Sequence, residues 1–349
     1  MKAYVLHGIK DLRFENVNQP KIKSGEVLIS VKAVGICGSD IPRIYETGAH
    51  KHPLIPGHEF SGIVADTADD VSKHWINKRV GIFPLIPCHE CFSCKKHRYE
   101  MCRNYSYLGS RRDGAFAEYV AVPAENLIEL PENVSFEEAA MLEPMAVAVH
   151  AIRRCSSDSS DSIAICGLGT IGIFVAMFLK NMGFKNILLI GKKDIQKKTV
   201  VKLGFDESVF CDIRFQDPLK VIQNLTDSRG IDVFFECVGR NSTINQAIQV
   251  TAPSGRVIMV GNPASEIIID KNVYWKILRN QLQIYGTWNS SFLHNSKDDW
   301  NYVLEQIKLG LINPSVVISH KIPFSKLNDG LRIMRDKIED YVKVMVMPD

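Results

Sequence analysis

Four of the nine cysteines, Cys88, Cys91, Cys94 and Cys102, crowd into the stretch "CHECFSCKKHRYEMC". Their spacing, C-x2-C-x2-C-x7-C, lets four thiolates wrap around one ion, and zinc favours four tetrahedral ligands of this kind. An iron–sulfur cluster uses the same ligands, and a set of free surface thiols is the plain alternative. Four soft ligands leave no open coordination position. The cluster is therefore predicted to hold a loop in shape, as a structural zinc site, and the chemistry must lie elsewhere.

A second set is scattered. Cys37 stands in "GICGSD", His58 and Glu59 in "PGHEFSG", and Glu143 in "MLEPMAVAVH". Singly they say little: a buried cysteine is usually a small hydrophobe, and a single histidine is usually a satisfied polar residue. An acid in an apolar run, however, needs a partner. Cys, His and Glu together would hold zinc and leave its fourth position open, as catalytic zinc requires.

A third signal is "GLGTIG", residues Gly167, Leu168, Gly169, Thr170, Ile171 and Gly172. This G-x-G-x-x-G follows an apolar strand pattern and opens a helix pattern, the context that gives the motif meaning. The first glycine permits the turn, the second lets the backbone approach a pyrophosphate, and the third allows close packing. The helix N-terminus then binds the anion. An NAD site usually has an acid about 20 residues on, to bind the ribose. Here "NILLIGKKD" places Gly191 at that position, followed by Lys192 and Lys193. Losing the carboxylate and gaining two cations favours NADP(H) over NAD(H). The alternative is that the lysines are solvated and Asp194 reaches the ribose.

The elements that must carry these residues fall into two textures. Residues 1–147 have short alternating runs ("EVLISVKAVGI", "FSGIVAD", "KRVGIF", "FAEYVAVP") punctuated by Gly, Pro and Asp, which predicts a β-rich domain. From 148 to 288, near-continuous apolar strands ("SIAICG", "NILLIG", "GIDVFFECVG", "GRVIMVG") alternate with helical segments, which predicts a doubly wound parallel sheet. Residues 289–349 return to mixed character and are assigned with the first domain. The fold class is α/β, and 349 residues fit two domains. A net charge of +3 is too small to argue for nucleic acid or an anionic membrane. The opening "MKAYVLHGIKDLRFE" lacks an apolar run of signal-peptide length, and no window is apolar enough to span a bilayer. The expectation is a cytoplasmic protein, where clustered cysteines bind metal rather than form disulfides.

Taken together, "GICGSD", "PGHEFSG", the four-cysteine loop, "LEPMAVAVHA" and "GLGTIG", in that order, resemble the zinc-dependent medium-chain dehydrogenases/reductases, in their polyol dehydrogenase branch. "SDIPRIYETGAH" and "LGSRRDGAFAEY" are most similar to the galactitol-1-phosphate 5-dehydrogenases. "GKKD", "VHAIRR" and "FECVGR" resemble the NADP(H)-using ribitol-5-phosphate enzymes, in which the cysteine loop is often degenerate. The resemblance implies a GroES-like catalytic domain (1–147 and 289–349), a Rossmann domain (148–288) and an active site in the cleft. It implies two zinc ions per chain, the catalytic one on Cys37, His58 and Glu143, with Glu59 as alternate ligand or neighbour. It also implies Asp40 orienting His58, Ser39 passing a proton, and a homodimer or homotetramer. The relay histidine of many relatives is replaced by Pro42. Arg43, His50, Lys51, His52, Arg111 and Arg112 supply positive charge, with Arg43, Arg111 and Arg112 the candidates for a substrate phosphate. The expected reaction is oxidation of galactitol 1-phosphate to tagatose 6-phosphate. The alternatives are ribitol 5-phosphate, an unphosphorylated polyol such as sorbitol or another secondary alcohol, and a non-catalytic nucleotide- and zinc-binding protein.

Overall fold

The computed structural model describes residues 1–263 and 265–349. The chain divides into two compact units: Met1–Glu143 with Ser291–Gly310 and Ile318–Asp349, and Pro144–Ser290 with Leu311–Val317.

The first unit is built on a seven-stranded sheet. Its longest member, Glu26–Ile36, is rich in Val and Ile, which suit a pleated, packed surface. It pairs antiparallel with Glu59–Thr67, with Tyr119–Pro123 and with the late strand Lys343–Met347. Inward-facing Val27, Ile29, Val34, Ile36, Phe60 and Val64 join one buried apolar core. The antiparallel register has a consequence for the site. The end of Glu26–Ile36, the start of Glu59–Thr67 and the start of Lys343–Met347 meet at the same end of the sheet, because Gly35 faces Glu59 and Ile36 faces Val344. Cys37, His58 and Lys343 therefore lie close together although the sequence scatters them.

The second unit carries a six-stranded, wholly parallel sheet. Its strands are Ile163–Cys166, Ile187–Gly191, Phe210–Asp212, Ile231–Glu236, Thr251–Met259 and Gln283–Gly286. Numbered in chain order, they lie 3-2-1-4-5-6 across the sheet, the doubly wound order with a switch point beside the first strand. The first two strands are buried along their whole length, as a sheet covered on both faces requires. Among the described residues, no helix is long and apolar enough to cross a membrane.

Candidate active site

The four loop cysteines converge. Their sulfurs lie 3.4 Å (Cys88–Cys102), 3.6 Å (Cys91–Cys94), 3.9 Å (Cys91–Cys102) and 4.0 Å (Cys88–Cys94) apart. A tetrahedron of thiolates at zinc–sulfur distances of about 2.3 Å has sulfurs ~3.8 Å apart, so the spacing fits a shared ion and is far too long for a disulfide. Backbone N–H groups of Cys94 and Arg103 hold the Cys91 thiol down to about 6, and burial pushes Cys94 up to about 12. The loop supplies its own donors to part of the sulfur charge.

The second cluster forms where the sheet brings its strand ends together. Cys37, His58 and Glu59 place one ligand atom each within 4.8 Å of one another. His58 and Glu59 are almost fully buried. A buried imidazole beside a thiol and a carboxylate is a donor set suited to zinc. The His58 Nδ1 lies 3.4 Å from Oδ1 of the fully buried Asp40. Asp40 also accepts the Cys37 N–H at 3.0 Å and an Arg43 N–H at 2.6 Å, so one carboxylate fixes both sides of the cluster. Burial opposes the charge on Asp40 and on His58. Their mutual attraction outweighs it, helped by Arg43 at the acid and Cys37 at the imidazole, holding Asp40 below the usual carboxylate range and lifting His58 well above its ordinary value. Ser39 is exposed, and its hydroxyl donates to Cys37 Sγ at 3.3 Å.

The two acids of the site each have a partner that the sequence did not announce. Glu59 meets Lys343, which is 2% exposed and also donates to the Ile36 carbonyl at 3.1 Å. They meet in the space left by Gly35, where a Cβ would strike both the Glu59 carboxylate and the Lys343 side chain. Glu143, in the first turn of the helix Leu142–Arg153, stands outside the group of three and accepts the Tyr107 hydroxyl at 3.2 Å. Burial, with the nearby Glu59 charge, raises Glu143 to about 7 against the pull of His58 and Lys343. Burial and the Glu143 charge push the Tyr107 phenol well up. The Tyr107 ring also packs edge-on to His58, 5.7 Å between centroids. Two glycines make that approach possible: Gly57 (φ 92°) and Gly109 (φ 76°) sit in the left-handed region, and a Cβ on Gly109 would come 2.6 Å from the Gly57 carbonyl oxygen.

In the second unit, Gly167 (φ 96°) makes the turn after the first strand, and the helix Thr170–Asn181 starts at once with Gly169 as its N-cap. A Cβ on Gly172 would strike the Gly167 carbonyl, whereas one on Gly169 would meet nothing within 4 Å. That open space at a helix N-terminus is the shape a pyrophosphate needs. Gly191 ends its strand, and the N–H groups of Lys192 and Lys193 both donate to Gln196 Oε1 at 3.1 Å. Asp194 is held by Arg214 at 2.5 Å, and Arg214 also grips Asp212 at 2.6 Å.

Of the basic residues, Arg43 lies beside Asp40, and Arg111 stacks over the Tyr105 ring at 4.7 Å. Arg112 does not join them. It is bound to Glu26 at 2.6 Å, with a second contact to the Ala121 carbonyl.

Residues 23–132 match the alcohol dehydrogenase GroES-like domain, and residues 170–308 match the zinc-binding dehydrogenase family. A sorbitol dehydrogenase of Bacillus subtilis is 30% identical over 355 residues, covering 100% of this chain and 98% of the relative. The galactitol 1-phosphate 5-dehydrogenase of Escherichia coli is 29% identical over 335 residues, covering 94% of each. The crystal structure of the galactitol-1-phosphate dehydrogenase from Escherichia coli superposes with a TM-score of 0.90 at 28% identity, covering all of both chains. The likeness is nearly equal to relatives with different substrates, so it places the chain in a branch without selecting one member.

Proposed function

The chain belongs to the zinc-binding medium-chain dehydrogenase/reductase family, in its polyol dehydrogenase branch, and from that premise we propose that it oxidises galactitol 1-phosphate to tagatose 6-phosphate with NADP⁺ as preferred acceptor. At the family level it is an NAD(P)-dependent oxidoreductase of a polyol-type substrate, with a catalytic and a structural metal cluster. The observation that carries the reading is the convergence of Cys37, His58 and Glu59 within 4.8 Å, with Ser39 and Glu143 beside them.

The reaction removes a hydride from the carbinol carbon and a proton from its oxygen, leaving a ketone. Cys37 and His58, with Glu143 or Glu59 as the third ligand, would hold a zinc ion, which when bound would supply Lewis acidity toward the substrate hydroxyl. Ser39 takes that proton. Its exposure gives it a direct outlet to water, which serves where Pro42 replaces a relay histidine. Asp40 keeps His58 and Cys37 in register. Lys343 holds Glu59 in reserve as alternate ligand, and Tyr107 aims Glu143. A nicotinamide cofactor, when bound, would supply the hydride acceptor. Gly167, Gly169, Thr170, Ile171 and Gly172 would seat its pyrophosphate, and Lys192 and Lys193 beside Gly191 would favour a 2′-phosphate. The engagement of Asp194 by Arg214 supports this, because it draws that acid away from a ribose hydroxyl.

The test follows nicotinamide absorbance with galactitol 1-phosphate, galactitol, sorbitol and ribitol 5-phosphate, each with NADP⁺ and NAD⁺. The expected result is a kcat/KM for galactitol 1-phosphate at least ~10-fold above the others, larger with NADP⁺. The second reading, an unphosphorylated polyol, has the 30% identity to a sorbitol dehydrogenase in its favour. A higher kcat/KM for sorbitol than for either ester establishes it in place of the first.

A further inference from the structure

The end of the second strand of the parallel sheet, Ile187–Gly191, is where a dinucleotide fold places the adenosine ribose. Two features there set this chain apart from a site that reads a plain ribose. No acid stands at Gly191, and Gln196 fills the space its side chain would take, with Oε1 2.9 Å from where a Cβ would stand. The same oxygen accepts the N–H groups of Lys192 and Lys193 at 3.1 Å each. The backbone donors that follow the strand are therefore occupied, and an anion arriving here has to be held by side chains.

The third strand, Phe210–Asp212, delivers a side chain suited to that. Asp212 lies opposite Gly191 in the parallel register, and the Ile213 N–H donates to the Gly191 carbonyl at 3.0 Å. The next residue, Arg214, is thereby brought to the ribose end of the second strand. Its guanidinium is held unevenly. Asp212 accepts from Nε at 2.9 Å and from Nη2 at 2.6 Å, a two-point grip, and also accepts the Arg214 backbone N–H at 3.0 Å. Asp194 accepts only from Nη2, at 2.5 Å, and its side chain is 69% exposed. Nη1 has no hydrogen-bond partner among the described residues. Asp212 is the anchor. Asp194 is the partner that a stronger anion can displace, because an exposed ion pair contributes about 1 kcal/mol or less. A phosphomonoester, with close to two negative charges and oxygens that match the guanidinium fork, is such an anion.

We propose that Arg214 selects the cofactor: it exchanges Asp194 for the adenosine 2′-phosphate of NADP(H), while Asp212 keeps the guanidinium in place. This role rests on the reading of Gly191 as the ribose position, and it divides the work there. Lys192 and Lys193 supply charge, and Arg214 supplies the oriented fork. With NAD(H), which lacks the phosphate, Arg214 stays on Asp194.

The test is titration of NADPH and of NADH, followed by nicotinamide fluorescence without substrate. Arg214→Gln is expected to raise Kd for NADPH about 10-fold or more and to leave Kd for NADH within about threefold. Asp194→Asn frees the guanidinium and removes a negative charge beside the phosphate, so it should lower Kd for NADPH by roughly 3- to 10-fold, again with NADH little changed. Arg214→Lys, which keeps the charge but not the fork, should recover part of the loss. In the wild type 2′,5′-ADP should displace NADPH at lower concentration than 5′-AMP, and Arg214→Gln should remove that advantage. An unchanged ratio of the two Kd values in Arg214→Gln overturns the role of Arg214, as does an equal loss for both cofactors, the result a merely structural arginine gives. Should Arg214→Gln fold poorly, an unchanged ratio in Asp194→Asn, which leaves the Asp212 anchor in place, overturns it alone. Wild-type preference for NADH overturns the NADP reading instead, and the change in ratio still decides Arg214. A wild type that binds neither cofactor overturns both.

Discussion

The cysteine loop and the Cys37–His58 cluster both gather soft and nitrogen or oxygen donors around a point, yet they are held in opposite ways. The loop draws all four ligands from Cys88 to Cys102, and its sulfurs are supported by the loop's own backbone N–H groups. Its ligands have nothing else to do, and the set closes a coordination sphere. The other cluster takes Cys37, His58, Glu59 and Glu143 from separate strand and helix ends, and several have a dedicated partner in the protein: Asp40 for His58, Lys343 for Glu59, Tyr107 for Glu143. Closure around an ion can organise a short loop. A site that must keep a coordination position open has to be organised by the protein behind it.

The contrast predicts different failures. The largest belongs to Cys37→Ala or Glu143→Ala, which should lower kcat/KM by at least ~10³-fold, since a metal's stabilisation of developing charge is worth several kcal/mol. Zinc analysis should read one ion per chain instead of two, with thermal unfolding little changed. If Glu143→Ala keeps full activity, the assignment of that acid is wrong. Next comes Lys343→Met. Lys343 and Glu59 are each 2% exposed, so the change strands a buried carboxylate. Breaking such a pair costs about 3–5 kcal/mol, measurable by denaturant unfolding. The double variant Lys343→Met/Glu59→Gln should recover most of that loss. Strictly additive losses would mean that the pair is not what holds Glu59. Cys102→Ser is third. It should release one zinc and lower stability by about 3 kcal/mol, or roughly 6–12 °C in Tm, while the remaining folded enzyme turns over within a few-fold of wild type. Loss of both ions from this variant would break the comparison, because the two clusters would then depend on each other.

What the sequence reveals follows the same divide. The cysteine loop and "GLGTIG" are legible because each is a spacing within one local segment, and the parallel sheet is legible because its strands are apolar throughout. Cys37, His58 and Glu143 are chemically plausible singly, but only the antiparallel register brings Cys37 to His58. The partners were harder still. Lys343 reaches Glu59 across 284 residues of chain. The available signal was a lone cation inside the apolar strand "YVKVMVMP", a position that demands a buried acid. Tyr107 in "YSYLGS" gave no signal, since its approach to His58 depends on the close contact of Gly57 with Gly109. Arg112 misled for a related reason. It adjoins Arg111 in sequence, yet one turns to Tyr105 and the other to Glu26.

The smallest effect tests whether a neutral partner matters as much as a charged one. Tyr107→Phe keeps the ring that packs on His58 and removes only the hydroxyl that Glu143 accepts at 3.2 Å. Stability should change by ~1 kcal/mol or less, because a single hydrogen bond contributes about that much net. Activity should fall further, by roughly 10-fold in kcat/KM, since groups that orient a metal ligand typically matter by 10–100-fold. The split between the two readouts carries the argument. Cobalt substituted for zinc in the Cys37–His58 cluster gives a third readout, a d–d absorption band that moves when a ligand reorients. A shifted band with preserved Tm identifies Tyr107 as a positioning residue for Glu143. An unchanged band and unchanged kcat/KM would leave Tyr107 as packing for His58, and Glu143 would then owe its direction to the turn of helix that carries it.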